Sequence, residues 1–182
     1  MYWFKERNKQ IRIIEAYRDK IADNLRTVYN LFAKAVEAGQ GKGYANTLLI
    51  SNRLENTIRS IYTTVGVRYA RQAFGDRTIT KSFFTPAEWI QAILQYLGDN
   101  FYNKGILRIT DTTRKHFLDI LDMAFANGWG ALETANYVRN DPAIDEVIRN
   151  RAEMIARTVI GAPSAQESGR LQLPSLAGGN LS

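Results

Sequence analysis

The chain of 182 residues holds one histidine, His116, and no cysteine. A site needing two imidazoles, a thiolate or a disulfide is therefore excluded. His116 stands between Lys115 and Phe117, at the edge of an apolar stripe, and reads as a structural or solvent-facing ring. Asp119 and Asp122 are three apart on one helical pattern and share a face. They lack further oxygen or nitrogen ligands at metal spacing and read as a solvated acidic edge. Asp141, Asp145 and Glu146 crowd a helix start, where negative charge complements the positive end of the dipole. Gly39, Gly41 and Gly43 surround Lys42 in a way that superficially suggests a phosphate loop. They lie between two helical patterns rather than after a strand, and Lys42 is followed by glycine rather than by Ser or Thr. This is read as a hairpin loop. No catalytic, cofactor-binding or metal site is expected, and the chain reads as non-enzymatic.

Composition permits an ordinary packed core. Hydrophobic residues make up 45% and charged residues 23%. No apolar run approaches the roughly 18–20 residues of a membrane span, and charge interrupts Met1–Arg7 at once. The net charge is +6, with the surplus at the front. Residues 1–109 carry 17 basic and 9 acidic residues, whereas residues 110–182 carry 7 and 9. Such a surplus favours polyanions but is not a sequence readout, and a solvated basic face is the simpler account. Arg53, Arg59, Arg68 and Arg71 are candidates for DNA or partner contacts without sequence specificity. Tyr2, Trp3 and Phe4 either pack back on the helices or anchor this end in a partner's groove or a membrane interface.

These residues are positioned by helices throughout. Ile14, Tyr17, Ile21, Leu25, Val28, Phe32 and Ala35 step by three or four, which predicts one helix over Lys9–Ala38 with a narrow, coiled-coil-like seam. The glycines at 39–43 end it. A second pattern, Tyr44–Ala73, carries Leu54, Ile58, Ile61, Val65 and Tyr69, so the two form an antiparallel hairpin. A connector runs over 74–84. Thr85-Pro86-Ala87-Glu88 begins a helix that frays near Asn103–Gly105. Thr110–Thr113 reads as the next start, with Phe117, Ile120, Leu121, Ala124 and Phe125 facing inward until Asn127-Gly128-Trp129-Gly130. A short helix with Leu132, Ala135 and Val138 inward follows. Asp141-Pro142 then caps a last helix stopped by Gly161 and Pro163. In that helix Arg151 and Glu153 flank the buried stripe, and Arg157 meets the negative end of the dipole. Residues 164–182 read as an extended tail. The expected fold is all-α: a long hairpin with connector (1–84), a compact cluster of short helices (85–163) and the tail.

The order of residues in the second half carries more than helicity. Ile109–Thr113, Ile120–Trp129, Leu132–Ala135 and Arg151-Ala152-Glu153-Met154-Ile155-Ala156-Arg157-Thr158 follow one another over about fifty residues. Together they resemble the helical domain of phage minor head proteins of the Mu F-type head-morphogenesis family. The family pattern is a Thr-rich helix start, a helix ending in Gly, a short helix, then Arg-Ala-x-x-Ile-Ala-Arg-Thr. Val159 stands where the family usually has Glu, and the region that commonly follows in relatives is replaced by the tail. The resemblance implies a low-copy virion protein of the head interior near the portal vertex, acting in head assembly and in DNA packaging or ejection. Its implied partners are the portal protein, other head proteins and packaged DNA, with several copies around the portal and no small-molecule substrate. Arg151, Ala152, Ile155, Ala156, Arg157 and Thr158 are then motif residues that tie the cluster together or dock it. Two other readings stand beside this one: a head–tail connector of the phage neck, and a non-specific DNA-binding helical module.

Overall fold

A computed structural model describes the backbone of residues 2–49, 52–61, 63, 64 and 103–166, and the side chains of 11–49, 52–61, 63, 64 and 105–160. Among these residues every regular element is a helix, so the chain is all-α as expected. Helix α1 spans Tyr2–Glu37, about 54 Å at 1.5 Å per residue. It starts earlier than the periodicity indicated. Its end is set by Gly39, whose φ of 72° suits a residue without Cβ. The Gln40 N–H reaches the Ala35 carbonyl (2.7 Å) and the Gly39 N–H the Val36 carbonyl (2.9 Å), which closes the last turn as a Schellman motif.

The glycine loop is shorter than expected. Gly41 and Gly43 belong to a second helix, α2 (Gly41–Asn46). Gly41 is buried there for a steric reason: a Cβ would lie 2.7 Å from Val36 Cγ2. Residues 47–49 are not helical, so the expected arm from Tyr44 is divided, and its described remainder is α3 (residues 52–61, continuing at 63 and 64). The hairpin is antiparallel. Asn24 Nδ2 donates to Thr57 Oγ1 (3.0 Å), and the Tyr17 hydroxyl donates to Thr64 Oγ1 (3.4 Å). Residue 24 thus faces 57 while residue 17 faces 64.

Helix α4 covers Asn103–Ala126. Thr110–Thr113 is therefore helix interior, not a start, and Asn103–Gly105 is helical. The threonines that suggested caps instead turn back on their own helix. Thr110, Thr112 and Thr113 donate to the carbonyls of Ile106, Arg108 and Ile109 at 2.7–2.8 Å. Gly128 (φ 69°) ends α4 with a second Schellman motif, Trp129 N–H to Ala124 O at 2.9 Å. Helix α5 spans Ala131–Asn140 and α6 spans Pro142–Gln166. Asp141 Oδ1 accepts the Ala143 N–H (2.8 Å), the expected cap ahead of Pro142. Gly161 and Pro163 do not stop α6. Burial of Val159 and Ile160 (5% and 2% exposed) carries the helix past them, against the loss of one N–H at proline.

Helix α1 packs on α2, α5 and α6, and α2 packs on α4. Its inner surface is a broad face, not a narrow seam: Asn24, Tyr29, Ala33 and Val36 are buried beside Ile21, Leu25, Val28 and Phe32. One core joins this face to Leu54, Ile58 and Ile61 of α3, Phe117 and Ile120 of α4, Ala135 and Val138 of α5, and Ile144, Ile148 and Ala152 of α6. Two residues expected to face inward are exposed. Phe125 is 89% and Leu132 66% exposed, on either side of the Gly128 turn. The expected helix from Thr85, the connector, Val65, Tyr69 and the tail beyond Gln166 lie outside the described residues.

Candidate functional site

The inward stripe of α6 steps Ile144, Ile148, position 151, Ile155, the 4-3-4 spacing of a buried face. Position 151 is an arginine. It does not flank the stripe, as expected, but lies in it, with 8% of its surface exposed. Stripe periodicity alone would have placed it inside. Its charge argued the other way, since arginine is almost never fully buried unless paired.

What holds Arg151 is a set of neutral oxygens from two other helices. Nη1 donates to the Tyr29 hydroxyl of α1 (3.0 Å), and Nη2 to Thr113 Oγ1 of α4 (2.7 Å) and to the Ile109 carbonyl (3.4 Å). Among the described residues no carboxylate pairs with it; the ion pairs there are made by other arginines. The Tyr29 hydroxyl also lies 2.7 Å from His116 Nδ1. That oxygen already accepts from Arg151; if its proton points to Nδ1, the neutral ring carries its own proton on Nε2. Burial, together with the Arg151 charge, pushes His116 below its ordinary pKa of 6.5, with Asp119 acting weakly against them. Burial raises the Tyr29 phenol, opposed by Arg151, and keeps it protonated.

Aromatic packing fixes this network. The Phe117 ring stacks on Phe32 (centroids 4.0 Å apart, planes at 2°) and meets Tyr29 edge-on at 4.9 Å. Tyr29 is 1% exposed, while His116 beside it is half-buried. The arrangement is suited to joining α1, α4 and α6 at one point.

The other motif residues divide between inside and outside. Ala152 and Ala156 are fully buried and Ile155 nearly so; the two small side chains let α6 lie close to its neighbours. Arg157 is exposed and pairs with Glu153 (2.5 Å). Because α6 continues to Gln166, Arg157 is not in the last turn and does not meet the end of the dipole, as had been expected. Thr158 donates to the Met154 carbonyl (2.8 Å). Arg53 and Arg59 are exposed on α3, the latter 3.8 Å from Glu55. Arg68 and Arg71 lie outside the described residues, as do the side chains of Tyr2, Trp3 and Phe4, whose backbone opens α1. Asp119 and Asp122 are exposed, and no cluster of three or more metal-ligating groups occurs among the described residues. No described helix is long and apolar enough to cross a membrane.

Two further arginines tie α1 to the second half of the chain. Arg139 of α5 grips both carboxylate oxygens of Glu37 (2.5 and 2.7 Å), and Arg26 of α1 meets Asp145 of α6 (2.5 Å). Spacing gave no sign of these long-range pairs. Comparison with protein-family models, with curated proteins and with solved structures gives no match.

Proposed function

We propose that this chain is a non-enzymatic minor head protein of a tailed phage, bound near the portal vertex on the head interior, where it serves head assembly and DNA packaging or ejection. The observation that supports this reading is the meeting of the motif's ends. The Arg151 side chain, in the Arg-Ala-x-x-Ile-Ala-Arg-Thr piece, bonds Thr113 and Ile109 of the Thr-rich piece 38 and 42 residues earlier. Pieces that only follow one another in sequence thus form one packed unit, as a motif that maintains a docking scaffold requires. The exposed motif residues, Arg157 and Thr158, remain for partner contact, and the basic first half suits packaged DNA.

The test is co-purification of the tagged full chain with portal protein or with empty heads from infected cells. The reading expects the protein in particles, at low copy, with portal. Its absence from purified particles overturns the proposal. A ring matching portal symmetry on the outside of the head replaces it with the connector reading. Salt-sensitive DNA binding without particle association replaces it with the DNA-binding module.

A further inference from the structure

We propose that the Arg151–Tyr29–His116 chain is an acid-sensitive junction: protonation of His116 parts α1 from α4 and α6. The argument starts from proton counting. A guanidinium only donates. Arg151 therefore occupies one lone pair of the Tyr29 oxygen, and with the ring as its Nε2–H tautomer the phenolic proton goes to His116 Nδ1, 2.7 Å away. A protonated imidazole donates from both nitrogens, so Nδ1 then sends a proton towards the same oxygen. Tyr29 is left accepting from two cations, its own proton deprived of its acceptor inside the core. Among the described residues no other side chain bonds that hydroxyl.

The charges around His116 sharpen this. Arg151 faces it from α6 and Tyr29 from α1. Asp119, one turn along α4, is the acidic group acting on it, and it is exposed. Among the described residues, α2 and α5 bring no further charge to bear on the ring. A second positive charge therefore enters beside a buried cation that has, among the described residues, no carboxylate within ion-pair reach. The helices joined there are the three that meet at Arg151, and the Tyr29–Phe117 and Phe117–Phe32 ring contacts sit directly beside the weakened bond. The inference concerns this chain's own interior and does not rest on the proposed role at the portal.

His116 is the chain's one histidine, so its ring signals in an NMR titration of the full chain are unambiguous. The expected result is an Nε2–H tautomer at neutral pH and a midpoint below 6.5. His116→Asn places an amide oxygen near Nδ1 and does not titrate. Denaturant unfolding of both proteins from pH 7.5 to 5 then isolates the ring. For each tenfold weakening of proton binding by the folded ring, wild type gains tenfold in its unfolding constant at acid pH, relative to the variant. Amide exchange around Tyr29 should accelerate over the same interval in wild type alone. An Nδ1–H tautomer, a midpoint at or above 6.5, or equal pH dependence in the two proteins overturns the proposal. If His116→Asn does not fold, the tautomer and midpoint of the wild-type ring decide.

Discussion

Two kinds of arginine hold α1 to the second half of the chain, and they work under different physics. Arg139 grips the Glu37 carboxylate near the surface, with side chains 27% and 34% exposed. Arg151 is buried and reaches hydroxyls and a carbonyl instead of a carboxylate. In the surface pair, attraction between full charges is diluted by water and salt. At the interior site water is excluded, so each neutral partner matters more and an unmade bond costs more. The comparison teaches that formal charge pairing is a poor guide to which arginine matters here. The one lacking a described counterion is the one on which three helices converge.

The comparison can be broken, and the first blow falls on the interior. Phe117→Ala removes the ring that stacks on Phe32 and supports Tyr29. A buried aromatic truncated to alanine costs about 3–5 kcal/mol, read by denaturant unfolding. Next, Arg151→Ala should cost about 2–3 kcal/mol, since several charge-assisted bonds and a buried side chain are lost together. It should also let the His116 midpoint rise, because a repelling cation has gone. A loss near zero would mean that the interior arginine is dispensable. Tyr29→Phe should cost about 1 kcal/mol as one hydroxyl is removed from between two partners. Arg139→Gln should have the smallest effect, and one that fades as salt is raised.

Acid should separate the two regions as well. His116 is held below 6.5 in the folded chain, so the unfolded chain binds a proton first as pH falls. Stability is therefore lost below about pH 6.5, until the folded ring also titrates. Glu37 is held below its ordinary 4.5 by the hydrogen bond to Arg139, opposed by burial. Its contribution is complete above about pH 4.5 and is lost as pH falls through its folded value. An unfolding profile in Arg139→Gln that changes only below pH 5 would fit this separation; a change at pH 6 would not.

Much of the fold was legible because its signals are local. Gly39 and Gly128 end helices where a positive φ is needed, and Asp141-Pro142 begins one. The core stripe of α1 follows from spacing alone. The failures share a physical cause. Thr110–Thr113 looked like a cap because a threonine that can cap can equally bond the carbonyl four residues back, and only the surrounding helix decides. Gly41 looked like loop because its reason for being glycine, Val36 across the turn, is a tertiary contact. Arg151 looked like a flanking residue because its oxygens come from Tyr29 and Thr113, 122 and 38 residues away. The family-like motif contains both Arg151 and Arg157, and its residue order does not say which of them turns inward.

The bonds around Arg151 also have a direction. Donation leaves the guanidinium, passes through the Tyr29 hydroxyl to His116 and through the Thr113 hydroxyl to the Ile109 carbonyl, and stops there. The source cannot accept and the carbonyl cannot donate, so with the neutral ring protonated on Nε2 neither hydroxyl has a second orientation to choose. A network with a single proton arrangement behaves as a keyed joint: α1, α4 and α6 satisfy it in one mutual register, and sliding by a turn breaks it at both ends. Lysine at 151 would carry the same charge but not the planar fork that holds two helices at once. That position therefore specifies which assembly of the helices is native, beyond how stable it is.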